Sequence, residues 1–547
     1  MPTITLNKEE FEKLVGKKLD IEQLKDRISM LGTDLEGIEG NEITVEVFPD
    51  RPDMLSEQGF ARAFSSFIGV KTGLRNYKSK SSNYEVAVES SVDKVRPFTA
   101  CAVVKNLKFD NQKIKSIIQL QEKLHTSYGR NRKKIAIGIY PMEKIKFPIT
   151  YKALPPEKIK FIPLEYNTIL NGKQILTETN TGRDYAHLLE NEKLYPIFID
   201  SNNEILSMPP IINSHTTGKI TEETKDVFIE CSGFDLGVLK KCLNIVVTSL
   251  ADMGGEIYEV TLKYKNKIKT PDLATEKIKL NTENTNKLLG LNLKESEIKS
   301  LLERMGYNYS KGIVEIPSYR ADILHEVDLI EDVAIAYGYE NFKEEIPNVS
   351  TVASESEISK FKRKISEILI GLKLLECYTY SLSNKINLNQ KMNSKTESIE
   401  VESPVNSDYD TLRSWMIPSL LQILKENKRY EYPQDLFEIS TIFESSEKTE
   451  TGVEESQSLA VVKCEGNFTH IRQILDSLLS SLNLEYEIEE SYHSSFIEGR
   501  VGDIVINKEK VGFLGELSPE VLTNWNLEMP VSALELNLSE LIKLKKI

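Results

Sequence analysis

The sequence predicts a multidomain α+β fold. Three observations carry this expectation. At 547 residues the chain exceeds what one hydrophobic core organises. Segments with helical apolar spacing interleave with short alternating or wholly apolar runs that read as strands. Polar stretches without hydrophobic period divide the chain into four parts, expected at residues 1–75, 86–262, 270–346 and 350–547.

The first part is expected as a small α+β unit. LDIEQLKDRISMLG sets Ile21, Leu24, Ile28 and Leu31 on one helix face, and EITVEVFP alternates Ile43, Val45 and Val47 like a strand. MLSEQGFARAFSSFIG follows as a second helix capped by Ser56. LRNYKSKSSNYE, residues 74–85, reads as a linker. The second part is mixed α/β, with strand-like KKIAIGIY, YPIFID and DVFIECSG, and with an apolar helix, LGVLKKCLNIVVTSLADMGG, closed by Gly254 and Gly255. The third part holds the helix KESEIKSLLERMG ending at Gly306, the short hairpin strand GIVEIPSY, and the segment RADILHEVDLIEDVAIAYGY. The fourth begins with the helix ISKFKRKISEILIGLKL, continues with the strands ECYTYSLS and DLFEIS, and closes on a hairpin, GRVGDIVINKEKVGFLGELS.

A formal net charge of -14 argues against a protein that coats nucleic acid non-specifically. Five scattered cysteines form no CxxC pair and give no zinc signal. Without an apolar leader core or a membrane-length apolar run, the expectation is a reduced, soluble, cytoplasmic protein with no membrane partner.

The most acidic stretch is RADILHEVDLIED. Its helix is expected to bury Val327, Ile330, Ala334 and Tyr337 as one stripe and to stop at Gly338. Asp328, Glu331 and Asp332 stand at i, i+3 and i+4, so their carboxylates share a face, and Asp322 can fold back over the first turn. Such a set suits a hard cation such as Mg2+. The same spacing also describes a solvated acidic face, with Asp322 and Glu326 favoured near a helix N-terminus. Spacing alone leaves both readings open. In DVFIECSG, Glu230 and Ser232 share a strand face, which by itself is an ordinary acid–hydroxyl surface. YGRNRKKIAIGIY gathers Arg130, Arg132, Lys133 and Lys134, either against nucleic-acid phosphate or in a basic turn.

PSYRADILHEVDLIEDVAIAYGY resembles the signature of the β subunit of phenylalanyl-tRNA synthetase. VFPDRPDMLSEQGFARAFSSFIG, MPPIINSHTTGKITEETKDVFIECSG, TLRSWMIPSLLQILKENKR with DLFEIS, and GRVGDIVINKEKVGFLGELSPEVL match the same family in the same order. Length and PPIINS are similar to its archaeal and eukaryotic type.

The resemblance implies an N-terminal α+β domain, a mixed α/β editing domain, a helix-turn-helix-like domain, and a class II synthetase catalytic-like antiparallel sheet with helices. It implies an α2β2 enzyme that joins phenylalanine to tRNA(Phe) with ATP, the aminoacylation site lying on the α subunit. It also implies that Asp322, Asp328, Glu331 and Asp332 bind Mg2+, with Glu326 left out as a helix-start charge. Ser207, Glu230 and Ser232 are the implied editing residues that clear tyrosine from mischarged tRNA, with Asn213 and Ser214 beside them. The family pattern places Thr two residues after the acid, where this chain has Ser232. The catalytic-like part lacks the ATP-gripping arginines of class II enzymes: none stands beside Glu438, and none follows Gly512 and Gly515 in the last hairpin. Arg413 reads as a structural residue at an interface. The alternatives are a stand-alone tRNA deacylase and a structural tRNA-binding subunit.

Overall fold

Alternating and apolar runs between residues 79 and 270 pair into a ten-stranded sheet. In the computed structural model, which describes residues 2–544, this sheet lies in the first of two compact units, Met1–Ile346 and Pro347–Ile547. Its order begins Ile212–Asn213, Ile205–Met208, Tyr195–Ile199, Ile149–Leu154, Ser79–Val88. It continues Glu256–Lys263, Phe98–Lys105, Val227–Gly233, Ile135–Pro141, with Lys267–Thr270 added on Glu256–Lys263. Val227–Gly233 is buried at every position, as expected of an apolar strand flanked by antiparallel neighbours on both sides.

One expectation fails here. Residues 74–85 are not simply a linker, because Ser79–Val88 is a strand. It pairs in parallel with Glu256–Lys263, Ser79 opposite Ile257 and Val86 opposite Leu262. Backbone hydrogen bonds hold it, while Lys80, Ser81 and Asn83 stay in solvent, so its hydrophobic pattern carries no trace of the pairing.

The helix Leu236–Asp252 packs under the sheet. Asp235 caps it, accepting a hydrogen bond from the Val238 N–H. The N-terminal stretch and the stretch after residue 270 both grip this helix. Ser56 and Ser249 hydroxyls lie 3.0 Å apart, Arg62 Nη1 donates to Asp252 at 2.8 Å, and Asn244 Nδ2 donates to the Ser318 and Asp272 carbonyls. Apolar side chains from Ile4 through Phe64, Val247 and Leu302 to Ala336 form one continuous cluster. The expected caps hold: Ser56 accepts from the Gly59 N–H, and Gly306 takes a left-handed φ of +84° after the helix Glu295–Arg304.

The second unit is a seven-stranded sheet in the order Leu375–Glu376, Asp435–Ser445, Val453–Cys464, Val531–Asn537, Glu509–Leu517, Phe496–Ile506, Glu487–Glu490. All pairs are antiparallel except the first. Strand alternation decides which face each residue serves. Leu459 and Val461 pack with the helices Glu357–Gly371 and Phe468–Ser481, and Ala460 and Val462 pack with Ile417–Glu426. The expected hairpin is present, but it does not close the unit. Val531–Asn537 follows it and inserts at the sheet's centre. All five cysteines are free. Among the described residues no helix is long and apolar enough to cross a membrane.

Candidate functional site

The strand register brings the first site together. Glu230 pairs with Gly138 on the neighbouring strand. A side chain at 138 would intrude, since an added Cβ would stand 2.6 Å from Glu230 Oε1 and 2.1 Å from the Tyr140 hydroxyl. Glycine therefore opens the space into which Glu230 and Tyr140 reach. Tyr140 is fully buried, and its hydroxyl lies 3.2 Å from Glu230 Oε1 and 3.4 Å from Asn213 Oδ1.

Glu230 and Ser207 line a cavity of about 240 Å3, together with Asn213, Thr181, Arg132 and His125. Ser207 lies beside Tyr140. Three of the oxygens are buried without a protein partner: Glu230 Oε2, Ser207 Oγ and Thr181 Oγ1. An unpaired buried polar group costs about 1–3 kcal/mol, so three around one cavity point to a polar occupant. Burial pushes the Glu230 carboxyl up to about 8, against hydrogen bonds from Tyr140 and Ser232 and the charge of Arg96 that act the other way. At neutral pH Glu230 is therefore largely a neutral acid that can donate as well as accept.

The far wall is built by a left-handed turn. Arg130, Asn131 and Arg132 all have positive φ, at 48°, 51° and 62°, a conformation non-glycine residues adopt rarely and at some cost. The turn drives Arg132 inward. Its Nη1 donates to the Ile211 carbonyl at 2.8 Å, its Nη2 to Glu122 at 3.1 Å, and its guanidinium lies 4.4 Å from the Tyr185 ring centre. Arg130, Lys133 and Lys134 remain in solvent. His125 Nε2 accepts from the Ile137 N–H at 2.8 Å, so its proton sits on Nδ1, facing Glu122 at 3.2 Å. With both nitrogens committed, His125 cannot activate a serine, and hydrolysis here would use a positioned water.

The expected trio divides. Ser207 and Glu230 meet in the cavity, and Ser232 does not line it. Ser232 Oγ accepts from Arg96 Nε at 3.2 Å, and its carbonyl from Arg96 Nη2 at 2.7 Å. Asn213 lines the cavity, whereas Ser214 caps a short helix by accepting from the Thr216 N–H. Sequence reasoning missed Tyr140 and Thr181. The glycine inside the apolar run IAIGIY was the available signal for Tyr140. Thr181, in an isolated polar segment, carried none.

The acidic stretch forms the second site. The helix spans Glu326–Tyr337, and Gly338 ends it at a φ of +94°. Its buried side differs from the expected stripe: Ile330 and Ala334 are inside, but Val327 is exposed, and Leu329, Val333 and Ala336 complete the core contact. Val327 lies in the helix's first turn and faces solvent. Asp328 accepts from the Leu324 and His325 N–H groups, both at 2.7 Å, and so caps its own helix. Glu326 accepts from the Asn281 N–H and the Asn284 side chain, joining two helix starts.

Arg320 lies between Asp322 and Asp332. Its Nε donates to Asp322 Oδ1 and its Nη2 to Asp332 Oδ2, both at 2.8 Å, and the Tyr307 hydroxyl also donates to Asp332. Burial raises the Asp322 carboxyl, but Arg320 and then Arg51 outweigh it and hold the group below its ordinary value. Glu331 goes the other way. Burial, then the charges of Asp332, Asp50, Asp328 and Asp322, push it up. Among the described residues no three His, Cys, Asp or Glu side chains are drawn together as metal ligands. The carboxylates that act on Glu331 are the hard oxygen donors a divalent cation takes, but Arg320 already pairs with Asp322 and Asp332, so a cation there would share those two acids with the guanidinium.

In the second unit, Arg413 and Glu438 are a fully buried ion pair at 3.0 Å. Arg413 Nε donates to the Thr441 carbonyl and Nη1 to Thr379 Oγ1. Arg413 is thus structural, as expected, but it sits in the core rather than at an interface.

Two family descriptions match the chain: the tRNA synthetase B5 domain over residues 278–339, and the phenylalanyl tRNA synthetase beta chain CLM domain over residues 343–538. Among relatives, the phenylalanine–tRNA ligase beta subunit of Pyrococcus abyssi is 39% identical over 99% of this chain and 100% of its own length. That of Archaeoglobus fulgidus is 38% identical over 98% of each. Among solved structures, an N-terminal fragment of the phenylalanyl-tRNA synthetase beta subunit from Pyrococcus horikoshii is 38% identical with a TM-score of 0.59. It covers 61% of this chain and 99% of that fragment.

Proposed function

The chain belongs to the phenylalanine–tRNA ligase beta-subunit family, and on that premise we propose that its first unit hydrolyses tRNA(Phe) mischarged with tyrosine, while an α subunit attaches phenylalanine with ATP. The single observation that carries the editing reading is the cavity with three unpaired buried oxygens at Glu230, Ser207 and Thr181. Tyrosine differs from phenylalanine by one hydroxyl. An apolar synthetic pocket rejects an added hydroxyl poorly, and a second pocket that hydrogen-bonds it discriminates well. A tyrosine phenol would satisfy the orphaned oxygens, and a phenylalanine ring would leave them unpaired. Glu230 would grip the phenol, with Ser207 as the adjoining hydroxyl. Ser232 would act through its hydrogen bond to Glu230 and through Arg96, which also donates to the Arg132 carbonyl and so fastens the turn that forms the wall.

The ATP chemistry falls to the α subunit in this reading because Arg413 is committed to Glu438, Thr379 and Thr441. Asp322, Asp328, Glu331 and Asp332 would hold Mg2+, which would neutralise their charge near a subunit contact and take no part in hydrolysis. The assembly proposed is a cytoplasmic α2β2 tetramer that binds tRNA(Phe).

The test is deacylation of Tyr-tRNA(Phe) by the α/β complex. Glu230→Ala should abolish most of the rate and leave aminoacylation with phenylalanine intact. An unchanged deacylation rate would remove Glu230 from the site.

A further inference from the structure

Two buried arginines of the first unit share one habit. Arg51 grips Asp53 through Nε and Nη2, and Arg320 grips Asp322 through the same two atoms. This edge of the guanidinium matches the two oxygens of a carboxylate or phosphate. Arg62 breaks the habit. It is 7% exposed and held firmly on its other side, where Nη1 donates to the Tyr77 hydroxyl at 2.9 Å and to Asp252 at 2.8 Å. Its guanidinium carbon lies 3.9 Å from the centre of the Tyr319 ring. Nε and Nη2, the forked edge, are buried and have no partner. Among the described buried arginines, Arg62 alone leaves both of these atoms unpaired.

A second guanidinium repeats the pattern nearby. Arg75 Nη2 is tied to the Lys71 carbonyl at 3.1 Å, and Arg75 Nε is buried without a partner. Arg62, Arg75 and Lys71 line one cavity of about 140 Å3, with Asp252 the one acid on its wall. Three cations against one carboxylate leave the wall with a surplus of two positive charges. Leaving three charged N–H donors dry and unpaired is costly, and the cavity is wide enough for a tetrahedral oxyanion with accompanying water. We propose that this cavity is a phosphate-binding site, in which Arg62 forks two oxygens of a phosphate group and Arg75 and Lys71 neutralise the rest. The site is separate from the Glu230 cavity and does not rest on the editing reading. The phosphate is supplied either by an RNA backbone or by free phosphate.

The experiment titrates the full-length protein, with its α partner if it purifies as a complex, with inorganic phosphate at constant ionic strength, read by calorimetry. Saturable binding is expected at one site per chain. Arg75→Gln should weaken it by about tenfold or more, the loss of a charge-assisted hydrogen bond. Arg62→Lys, which keeps the charge and removes the fork, should weaken it further. Arg75 is only half-buried, so its variant stays informative even if Arg62→Lys folds poorly. Competition by uncharged tRNA(Phe) would assign the phosphate to an RNA backbone, and phosphate binding indifferent to tRNA would assign it to free phosphate. No saturation in the millimolar range, equal binding by Arg75→Gln, or acetate binding as tightly as phosphate would overturn the proposal.

Discussion

Replacing Glu230 by Gln should make the first unit more stable in alkali, and the size of the effect follows from the burial of this one carboxyl. Its folded pKa of about 8 lies above the ordinary 4.5. Between those values the folded state holds a proton that the unfolded chain has released, so stability falls as pH rises. The contribution is whole below pH 4.5, drains through the interval, and is lost above pH 8. Glutamine mimics the neutral acid and does not titrate. Each pH unit in the interval is worth about 1.36 kcal/mol. From pH 6 to pH 8.5 the variant should therefore gain about 2.5 kcal/mol on the parent protein. Amide hydrogen exchange read on peptides covering Val227–Gly233 is the suitable assay, because the chain has two units and its bulk unfolding is not one transition. Comparing both proteins at the same pH cancels the intrinsic exchange rate. The expected change in their rate ratio is roughly 70-fold. A ratio that stays constant from pH 6 to pH 8.5 would show that Glu230 is ionised in the fold, and the neutral-donor role would fall with it.

Three further outcomes are expected. Gly138→Ala should press on Tyr140 and displace Glu230, costing about 1–3 kcal/mol of stability; Tyr-tRNA(Phe) deacylation should drop while aminoacylation by the α/β complex is spared. Arg413→Met leaves Glu438 charged and buried, so chemical denaturation should show the second unit destabilised by about 3–5 kcal/mol, with much of the loss recovered by adding Glu438→Leu. Replacing both Asp328 and Asp332 by Asn should lower bound Mg2+, measured by elemental analysis of the purified complex, and loosen α/β assembly, measured by sedimentation; unchanged metal content and assembly would return the stretch to a solvated helix face.

Much of the fold is written in local pattern. Ser56, Asp235, Gly306 and Gly338 mark helix ends by capping chemistry that depends on only a few neighbours. The apolar runs around Ile137, Ile197 and Ile229 become fully buried strands. Ser79–Val88 was illegible because backbone pairing with a strand some 180 residues away leaves no side-chain period. The site was legible where strand parity acts, placing Glu230 and Ser232 on one face. Parity cannot say which of them a cavity reaches, and Arg96, more than a hundred residues earlier, decides that for Ser232. The acids of RADILHEVDLIED were visible. That Arg320 within the same stretch lies between two of them depends on how the chain folds back, which spacing does not encode.

The helix Leu236–Asp252 also limits how this protein can be divided. It is held from one side by Ser56 and Arg62 and from the other by the carbonyls of Asp272, Ser318 and Arg320. Cutting out residues 86–262 would expose its apolar faces and remove both sets of handholds. The Glu230 cavity is therefore portable only in the company of its flanking segments. A gene that lent this pocket to another protein would have to lend some 340 residues with it, and trimming either end would reach the pocket through the helix rather than by touching it.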